Sequence, residues 1–325
     1  MDSKIVGNTE RRVNQVGLGT WQFSGEWGTV SEEKAMAIMK RAVERGVNFF
    51  DTADVYGAGR SETLIGKFLK KTSESIFVAT KLGRLKGYPD NYSYELFRDC
   101  TEDSLKRLGV EALDLTQLHC IPPEYLKDGE VFDWLRELKK EGKIKNFGAS
   151  VESMDEALMC LKQPDITSLQ IIFNIYRQKP IDVLFDQAKE KNVALIVRLP
   201  LASGLLSGKF TKDTTFPEQD HRHFNRDGQQ FNVGETFAGL EFEKGVEITA
   251  KLKSLVPENM SMAQFALRWV LDHDAVSVAI PGASKVEHVE SNAAAGELPP
   301  LPHELHEKLR PFYDREVKEH IRGVY

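Results

Sequence analysis

Short apolar runs alternate with amphipathic stretches from about residue 15 to residue 295, and the regularity of that alternation limits the fold more than any single motif does. Gln15-Val16-Gly17-Leu18-Gly19-Thr20 reads as a first strand. Ser31 then opens a helix: its hydroxyl is an N-cap, Glu32 and Glu33 sit where the helix dipole favours acids, and Ala35, Ile38, Met39, Ala42 and Val43 keep helical spacing as far as Gly46. The next run, Asn48-Phe49-Phe50-Asp51-Thr52-Ala53-Asp54-Val55-Tyr56-Gly57, has the punctuation of a buried strand ending in polar residues and a glycine turn. Helices at 61–71, 94–108, 130–141, 153–162 and 181–191 alternate with strands at 76–81, 113–119, 144–150, 168–174 and 193–199. After an insertion come helix 260–272, strand 276–280 and helix 285–295, which completes eight strand–helix units. Eight parallel strands each followed by a helix close into a barrel, whereas an open doubly wound sheet normally stops near five or six strands.

The expected fold class is therefore α/β, a single (β/α)8 TIM barrel domain over residues 1–325, with an N-terminal β-hairpin over residues 4–14. Two pieces stand outside the repeat. Residues 203–240, Gly-rich and dotted with Phe216, His221, His223, Phe224, Phe231 and Phe237, form a long insertion after strand 7, followed by an extra helix at 241–254. Insertions of this length are commonly lids, and this one is expected to fold over a bound ligand. The tail from Pro302 to Tyr325 keeps near-helical apolar spacing and is expected to be one C-terminal helix.

Charge and cysteine usage narrow the partners. A formal charge of -6 gives no basic field for nucleic acid or for an anionic membrane, so small molecules are the expected ligands. Three scattered cysteines, Cys100, Cys120 and Cys160, suit neither a disulfide framework nor a zinc site and read as buried thiols in a reducing compartment. Asp220-His221-Arg222-His223 lacks a third ligand at helical spacing, so no metal is expected. No run approaches the roughly 18 apolar residues of a membrane span, and Met1–Gly7 has no long apolar core, which points to a cytoplasmic protein.

Three consecutive strands end in ionisable groups: Asp51 and Tyr56 follow the second strand, Lys81 ends the third and His119 the fourth. Active sites of such barrels sit at these strand ends. An ammonium between a carboxylate and a phenol is expected to lower the phenol's pKa, while the carboxylate keeps the lysine charged. Such a tyrosine can donate a proton to a developing alkoxide, and an adjacent imidazole can orient the carbonyl oxygen. The set suits carbonyl reduction.

At these residues the sequence resembles the aldo-keto reductases, over essentially the whole chain. The match runs through Gly17-Leu18-Gly19-Thr20-Trp21, the stretch Asn48–Gly57, Ser61-Glu62, Thr80-Lys81, Asp114-Leu115 to Leu118-His119, Gly148-Ala149-Ser150 and Pro281-Gly282-Ala283-Ser284, in family order and spacing. The resemblance implies a catalytic tetrad of Asp51, Tyr56, Lys81 and His119, with hydride from a nicotinamide dinucleotide. Gly17-x-Gly19 is followed by Gln22 where a Rossmann fingerprint needs glycine, but barrels often bind phosphate after strands 7 and 8. Here those loops are Ser203-Gly204-Leu205-Leu206-Ser207-Gly208-Lys209 and Gly282-Ala283-Ser284-Lys285. The implied cofactor contacts are Gly19, Thr20, Trp21, Asp51, Arg198, Pro200, Leu201, Gly204, Leu205, Ser207, Lys209, Gly282, Ser284 and Lys285. Ser150 and Gln170 would face the nicotinamide carboxamide, and His288 and Asn292 the adenine. The two lysines favour NADP(H), with NAD(H) possible as well. The implied substrate pocket is built from Trp21, Trp27, Tyr56, Tyr88 and His119.

Three positions depart from the family pattern: Val151 stands for a usual asparagine, Arg198 for an aromatic that stacks on the nicotinamide, and His288 for a glutamine. The leading expectation is an NADP(H)-dependent reductase of aldehydes or ketones with Tyr56 as proton donor. The alternative is a cofactor-binding regulatory or scaffolding subunit, as the potassium-channel β-subunits of this superfamily suggest. Retention of all four tetrad residues favours the enzyme. Hydride shuttling in a sugar epimerisation or dehydrogenation would use the same residues.

Overall fold

The side chains that face the barrel axis change character along four of the strands, from apolar at one end to polar at the other. The structure is a computed structural model describing residues 2–325. Its eight parallel strands are β3 (Leu18–Gly19), β4 (Phe49–Asp51), β5 (Phe77–Leu82), β6 (Leu115–His119), β7 (Phe147–Ser150), β8 (Ser168–Ile172), β9 (Ala194–Arg198) and β10 (Val276–Ala279), paired in sequence order. The ring closes where Gly17 N donates to Ala279 O at 2.8 Å, Ala279 N to Gln15 O at 2.8 Å and Gly19 N to Pro281 O at 3.2 Å. This is the expected (β/α)8 barrel.

Because successive strand residues point to opposite faces, Phe49, Phe77, Ala79, Leu115, Ala194, Ile196 and Val278 meet on the axis. The alternate residues Phe50, Val78, Leu118, Leu195 and Val197 meet the helices instead. Further along the inward rows come Asp51, Lys81, His119 and Arg198, each the last or penultimate residue of its strand, and Gln170 in the middle of β8. The opposite end is plugged by the hairpin β1 (Ser3–Ile5) and β2 (Arg12–Asn14), whose Val6 and Val13 join the axial apolar cluster. The ionisable groups Asp51, Lys81, His119 and Arg198 thereby collect at the mouth away from the hairpin.

The helices outside the ring are α1 (Glu32–Glu44), α2 (Arg60–Leu69), α3 (Tyr94–Leu108), α4 (Pro123–Asp128), α5 (Glu130–Lys140), α6 (Met154–Cys160), α7 (Lys179–Val183), α8 (Phe185–Glu190), α9 (His221–Phe224), α10 (Phe242–Leu252), α11 (Met262–Leu271), α12 (Val286–Ala295) and α13 (His303–Phe312). Ser31 caps α1 by accepting from Lys34 N, as its position predicts. The helix expected at 181–191 is broken at Leu184 into α7 and α8. The tail is not one helix: α13 gives way to wider and then tighter turns after Phe312, and the last residues run extended to bring Tyr325 onto Arg177. The insertion has a small aromatic core of its own, with Phe210, Phe216, Phe237 and Phe242 packed at ring separations of 4.9–6.0 Å. The three cysteines are buried free thiols, and no helix among the described residues is long and apolar enough to cross a membrane.

One helix contact bears directly on the mouth. At Gly66 in α2, a Cβ would lie 2.2 Å from Arg107 O and 2.9 Å from Leu108 C, so only glycine lets α2 and α3 approach this closely. The approach carries Arg107 Nε to Glu62 Oε2 at 2.6 Å, while Thr80 of β5 donates to Glu62 Oε1. Beside them the Asp54 carboxyl is pushed up to about 7 by burial and by the Glu62 charge, and its Oδ1 has no partner. Glu62 and Thr80 thus brace β5 one residue before Lys81.

Two outcomes are expected. Gly66→Ala must displace backbone rather than a flexible side chain, and should cost about 1–3 kcal/mol in urea denaturation; an unchanged midpoint and slope would contradict the close approach. The folded state holds the Asp54 proton more tightly than the unfolded chain does, so this group's contribution is full below pH 3.8 and is lost as pH rises to about 7. Tenfold in proton affinity is worth about 1.4 kcal/mol, which caps the loss near 4 kcal/mol. Asp54→Asn should therefore gain stability relative to the parent as pH is raised from 4 to 8, and parallel stability curves would contradict it.

Candidate active site

Lys81 reaches the barrel axis with no exposed side-chain surface, so its ammonium needs partners, and it has three. Nζ donates to Asp51 Oδ1 at 2.7 Å and Thr52 O at 2.7 Å, and lies 3.3 Å from Tyr56 Oη. The second carboxylate oxygen of Asp51 accepts from Gln170 Nε2 at 2.7 Å, and Thr20 Oγ1 donates to the Asp51 carbonyl at 2.7 Å. The carboxylate is thus saturated from two sides. The His119 ring stands edge-on to the Tyr56 ring at 5.9 Å and 82°, and Trp21 stacks against Tyr56 at 6.0 Å and 16°. The four residues that the sequence grouped by strand ends meet at one point.

Burial dominates their protonation. It lowers the Lys81 ammonium from its ordinary range, against the opposing charge and hydrogen bond of Asp51, and raises the Asp51 carboxyl, against Lys81 and Gln170. His119 is held well below the usual histidine range by burial and by the charges of Lys81, Arg84 and Arg198, so the imidazole is neutral. The expected lowering of the Tyr56 pKa is reversed. Burial, Asp51 and Glu235 push the phenol well above its ordinary value, and Arg198 and Arg84 oppose them. Lys81 directs its shortest bonds at Asp51 and Thr52, so its charge is largely neutralised before it reaches the phenol.

These groups open into a cavity of about 580 Å³ running from Trp21, Trp27 and Tyr56 past Gln170 and Arg198 to the loops after β9 and β10. Of the expected cofactor contacts, Gly19, Trp21, Asp51, Gln170, Arg198, Pro200, Leu201, Gly204, Ser207, Lys209, Gly282, Ser284, Lys285, His288 and Asn292 line it. Three expected contacts do not. Thr20 is buried against Asp51 and Ser61, Ser150 is turned towards Cys120 at 3.6 Å, and Leu205 packs beneath Gly245. Tyr88 lies in a side recess with Arg84, Phe224 and Phe231 rather than in the main cavity, which Trp27 lines.

At the far end, a Cβ on Gly282 would fall 2.1 Å from Gln22 Oε1, a buried oxygen without a hydrogen-bond partner. Lys209 and Lys285 both act on His288, which burial and then these two charges lower from its ordinary range. Glycine-lined backbone and two ammonium groups make a cradle suited to a phosphorylated ligand.

A second cluster escaped the sequence reading. Glu235, in the Val233–Glu235 turn of the insertion, accepts from Arg84 Nη1 at 3.0 Å and sits 3.5 Å from Arg198 Nη1. Burial alone would raise this carboxyl, but the two arginines carry it down to about 2. Glu152 beside it is raised to about 7 by burial and by the Glu235 charge. Arg198 Nη2 also donates to Val151 O at 3.1 Å, so the guanidinium is anchored by the residue that departs from the family pattern. Arg84 follows β5 by two residues and was accessible to the strand-end rule. Glu235, an acid in a polar insertion, carried no signal. The insertion forms a wall here: His221, fully buried, packs on Trp21 at 4.7 Å and Trp27 at 4.2 Å, and Asp220 is engaged by Arg222.

Comparisons with known proteins agree with this geometry. Residues 15–314 match the model of the aldo/keto reductase family. The chain is 32% identical over 295 residues to an uncharacterised oxidoreductase of Mycobacterium bovis, covering 88% of this chain and 85% of that protein. It is 27% identical over 302 residues to the aldo-keto reductase YhdN of Bacillus subtilis, covering 90% and 87%. Among solved structures, the glycerol dehydrogenase AKR11B4 of Gluconobacter oxydans superposes with a TM-score of 0.80 at 28% identity, over 100% of this chain and 98% of that one. The holo form of AKR11C1 from Bacillus halodurans gives 0.78 at 27%, with the same coverage. The chain belongs to the aldo/keto reductase family and is an oxidoreductase of its carbonyl-reducing kind.

Proposed function

We propose that this protein reduces aldehydes or ketones to alcohols with NADPH, and that Tyr56 donates the proton. The observation that carries the reading is the contact of Lys81 Nζ with both Asp51 and the Tyr56 hydroxyl, opposite His119, at the wall of the cavity. The glycine-lined cradle fits a dinucleotide. Gly204, Ser207, Lys209, Gly282, Ser284 and Lys285 would hold its phosphates, His288 and Asn292 its adenine, and Trp21, Gln170 and Arg198 would border its nicotinamide end. Bound there, the nicotinamide supplies the hydride.

The chain's own groups do the rest. Neutral His119 makes no hydrogen bond at its buried Nδ1, and in its Nε2–H form it can donate to a carbonyl oxygen in the cavity. A raised phenol pKa keeps Tyr56 protonated through the physiological range. An alkoxide is more basic than a phenolate, so proton transfer from Tyr56 to the reduced oxygen remains downhill. Lys81, fixed by Asp51, keeps one N–H on the phenol oxygen, a hydrogen bond that strengthens as negative charge develops there. Trp21, Trp27 and Phe231 border the cavity with apolar surface that excludes water from this step.

Two outcomes test this. Tyr56→Phe should lower kcat by about 10²–10⁴-fold, while fluorescence titration should show NADPH affinity nearly unchanged. Lys81→Met should be as severe for turnover and also less stable, since Asp51 is left buried without its cation. A Tyr56→Phe protein reducing aldehydes at the parent rate would refute the assignment, and a parent that binds NADPH but reduces no carbonyl would favour the scaffolding alternative. For cofactor choice, Lys285→Ala should weaken NADPH by about one to two decades and leave NADH unaffected, as expected for a charge-assisted contact to the additional phosphate. Equal loss for both cofactors would move that phosphate elsewhere.

A further inference from the structure

The cavity wall beside Tyr56 and His119 offers hydrogen-bond donors without matching acceptors. Arg84 Nη1 is taken by Glu235 at 3.0 Å, but its remaining N–H groups have no acceptor among the described residues and are not sealed from the cavity. The guanidinium is held in place by Phe231, whose ring centroid lies 5.3 Å away. Arg198 Nε and Trp27 Nε1, lining the same cavity, are buried donors without partners.

The nearby acceptors are already engaged. Asp51 is bound by Lys81 and Gln170, Glu235 by the two arginines, and Glu26 Oε2 by Trp21 Nε1. A polyhydroxylated ligand needs acceptors as well as donors, whereas a carboxylate or phosphate oxygen only accepts. Both arginines contact Glu235, beside which Glu152 is raised to about 7, and their charges act on both His119 and Tyr56, which places the two guanidinium groups close to the reacting groups. Arg84 also borders the recess of Tyr88, Phe224 and Phe231, away from Lys209 and Lys285, so this surplus is separate from the phosphate cradle.

We propose that Arg84, fixed on Glu235, is an anion subsite, and that the carbonyl compounds reduced here carry a carboxylate or phosphate a few atoms from the reacting carbon. This rests on the carbonyl-reducing reading above.

The test uses the intact protein at saturating NADPH with matched substrate pairs: succinic semialdehyde against butanal, and glyceraldehyde phosphate against glyceraldehyde. The anionic member of at least one pair should have the higher kcat/KM by about ten- to a hundredfold, chiefly through KM, and its advantage should shrink with added salt. The pair with the larger ratio tells which anion the subsite takes. Arg84→Gln should collapse that ratio by about tenfold or more, and Arg84→Lys should recover part of it. The comparison within the parent protein stands even if Arg84→Gln fails to fold. Neutral aldehydes reduced as well as their anionic partners would overturn the subsite and leave the reductase reading intact. No turnover of any of the four compounds would overturn both.

Discussion

Everything at the mouth of this barrel depends on the buried pair of Lys81 and Asp51. Taking both charges out of water costs several kcal/mol each, and their attraction repays it only with good geometry and further hydrogen bonds. Those bonds come from Thr52 O and the Tyr56 hydroxyl in the loop after β4 and from Gln170 Nε2 in β8. The pair is therefore weak as a source of stability and strong as a register device, because a slip of β4 or β5 would strand a charge in the core. The apolar rows below, with Phe49 stacked on Phe77 at 5.5 Å, supply the stability that the pair does not.

The outer face of β5 is governed by the same reasoning. Glu62 is a fully buried carboxylate that accepts from Thr80 and from Arg107, and Arg107 comes near enough only because Gly66 carries no side chain. A close helix contact is thus transmitted through one buried anion to the residue preceding Lys81. Asp54, protonated to about pH 7, shares this layer and avoids a second uncompensated charge beside Glu62. Helix packing and site geometry are one problem here.

The legible part of the sequence was periodic or local. Alternating strand and helix patterns gave the barrel, and the strand-end rule gave Asp51, Lys81 and His119, because side-chain direction follows from position in a strand. What was not legible depended on pairing between distant segments. Leu184 carries no helix-breaking residue type, yet α7 and α8 part there. The tail unwinds after Phe312 because Arg177 and Lys179 engage its last residues. Thr20, Ser150 and Leu205 sit beside cavity positions, but their side chains are spent on internal contacts that spacing does not reveal. Glu235 became visible only when Arg84 and Arg198 were seen around it.

The reversed Tyr56 expectation has the same origin. Residue types alone suggested that a lysine near a phenol lowers its pKa, which holds when the lysine's charge is free. Here Asp51 receives that charge at 2.7 Å and the phenol at 3.3 Å, so the phenol faces a nearly neutral pair inside a poorly solvated wall. A phenol in that setting is held in its protonated form rather than as a standing phenolate. Glu235 adds to this by raising the phenol further, while Arg84 and Arg198 limit the rise. The insertion after β9 therefore reaches the chemistry through charge as well as shape: the acid it inserts both orders two arginines and helps keep Tyr56 in its protonated form.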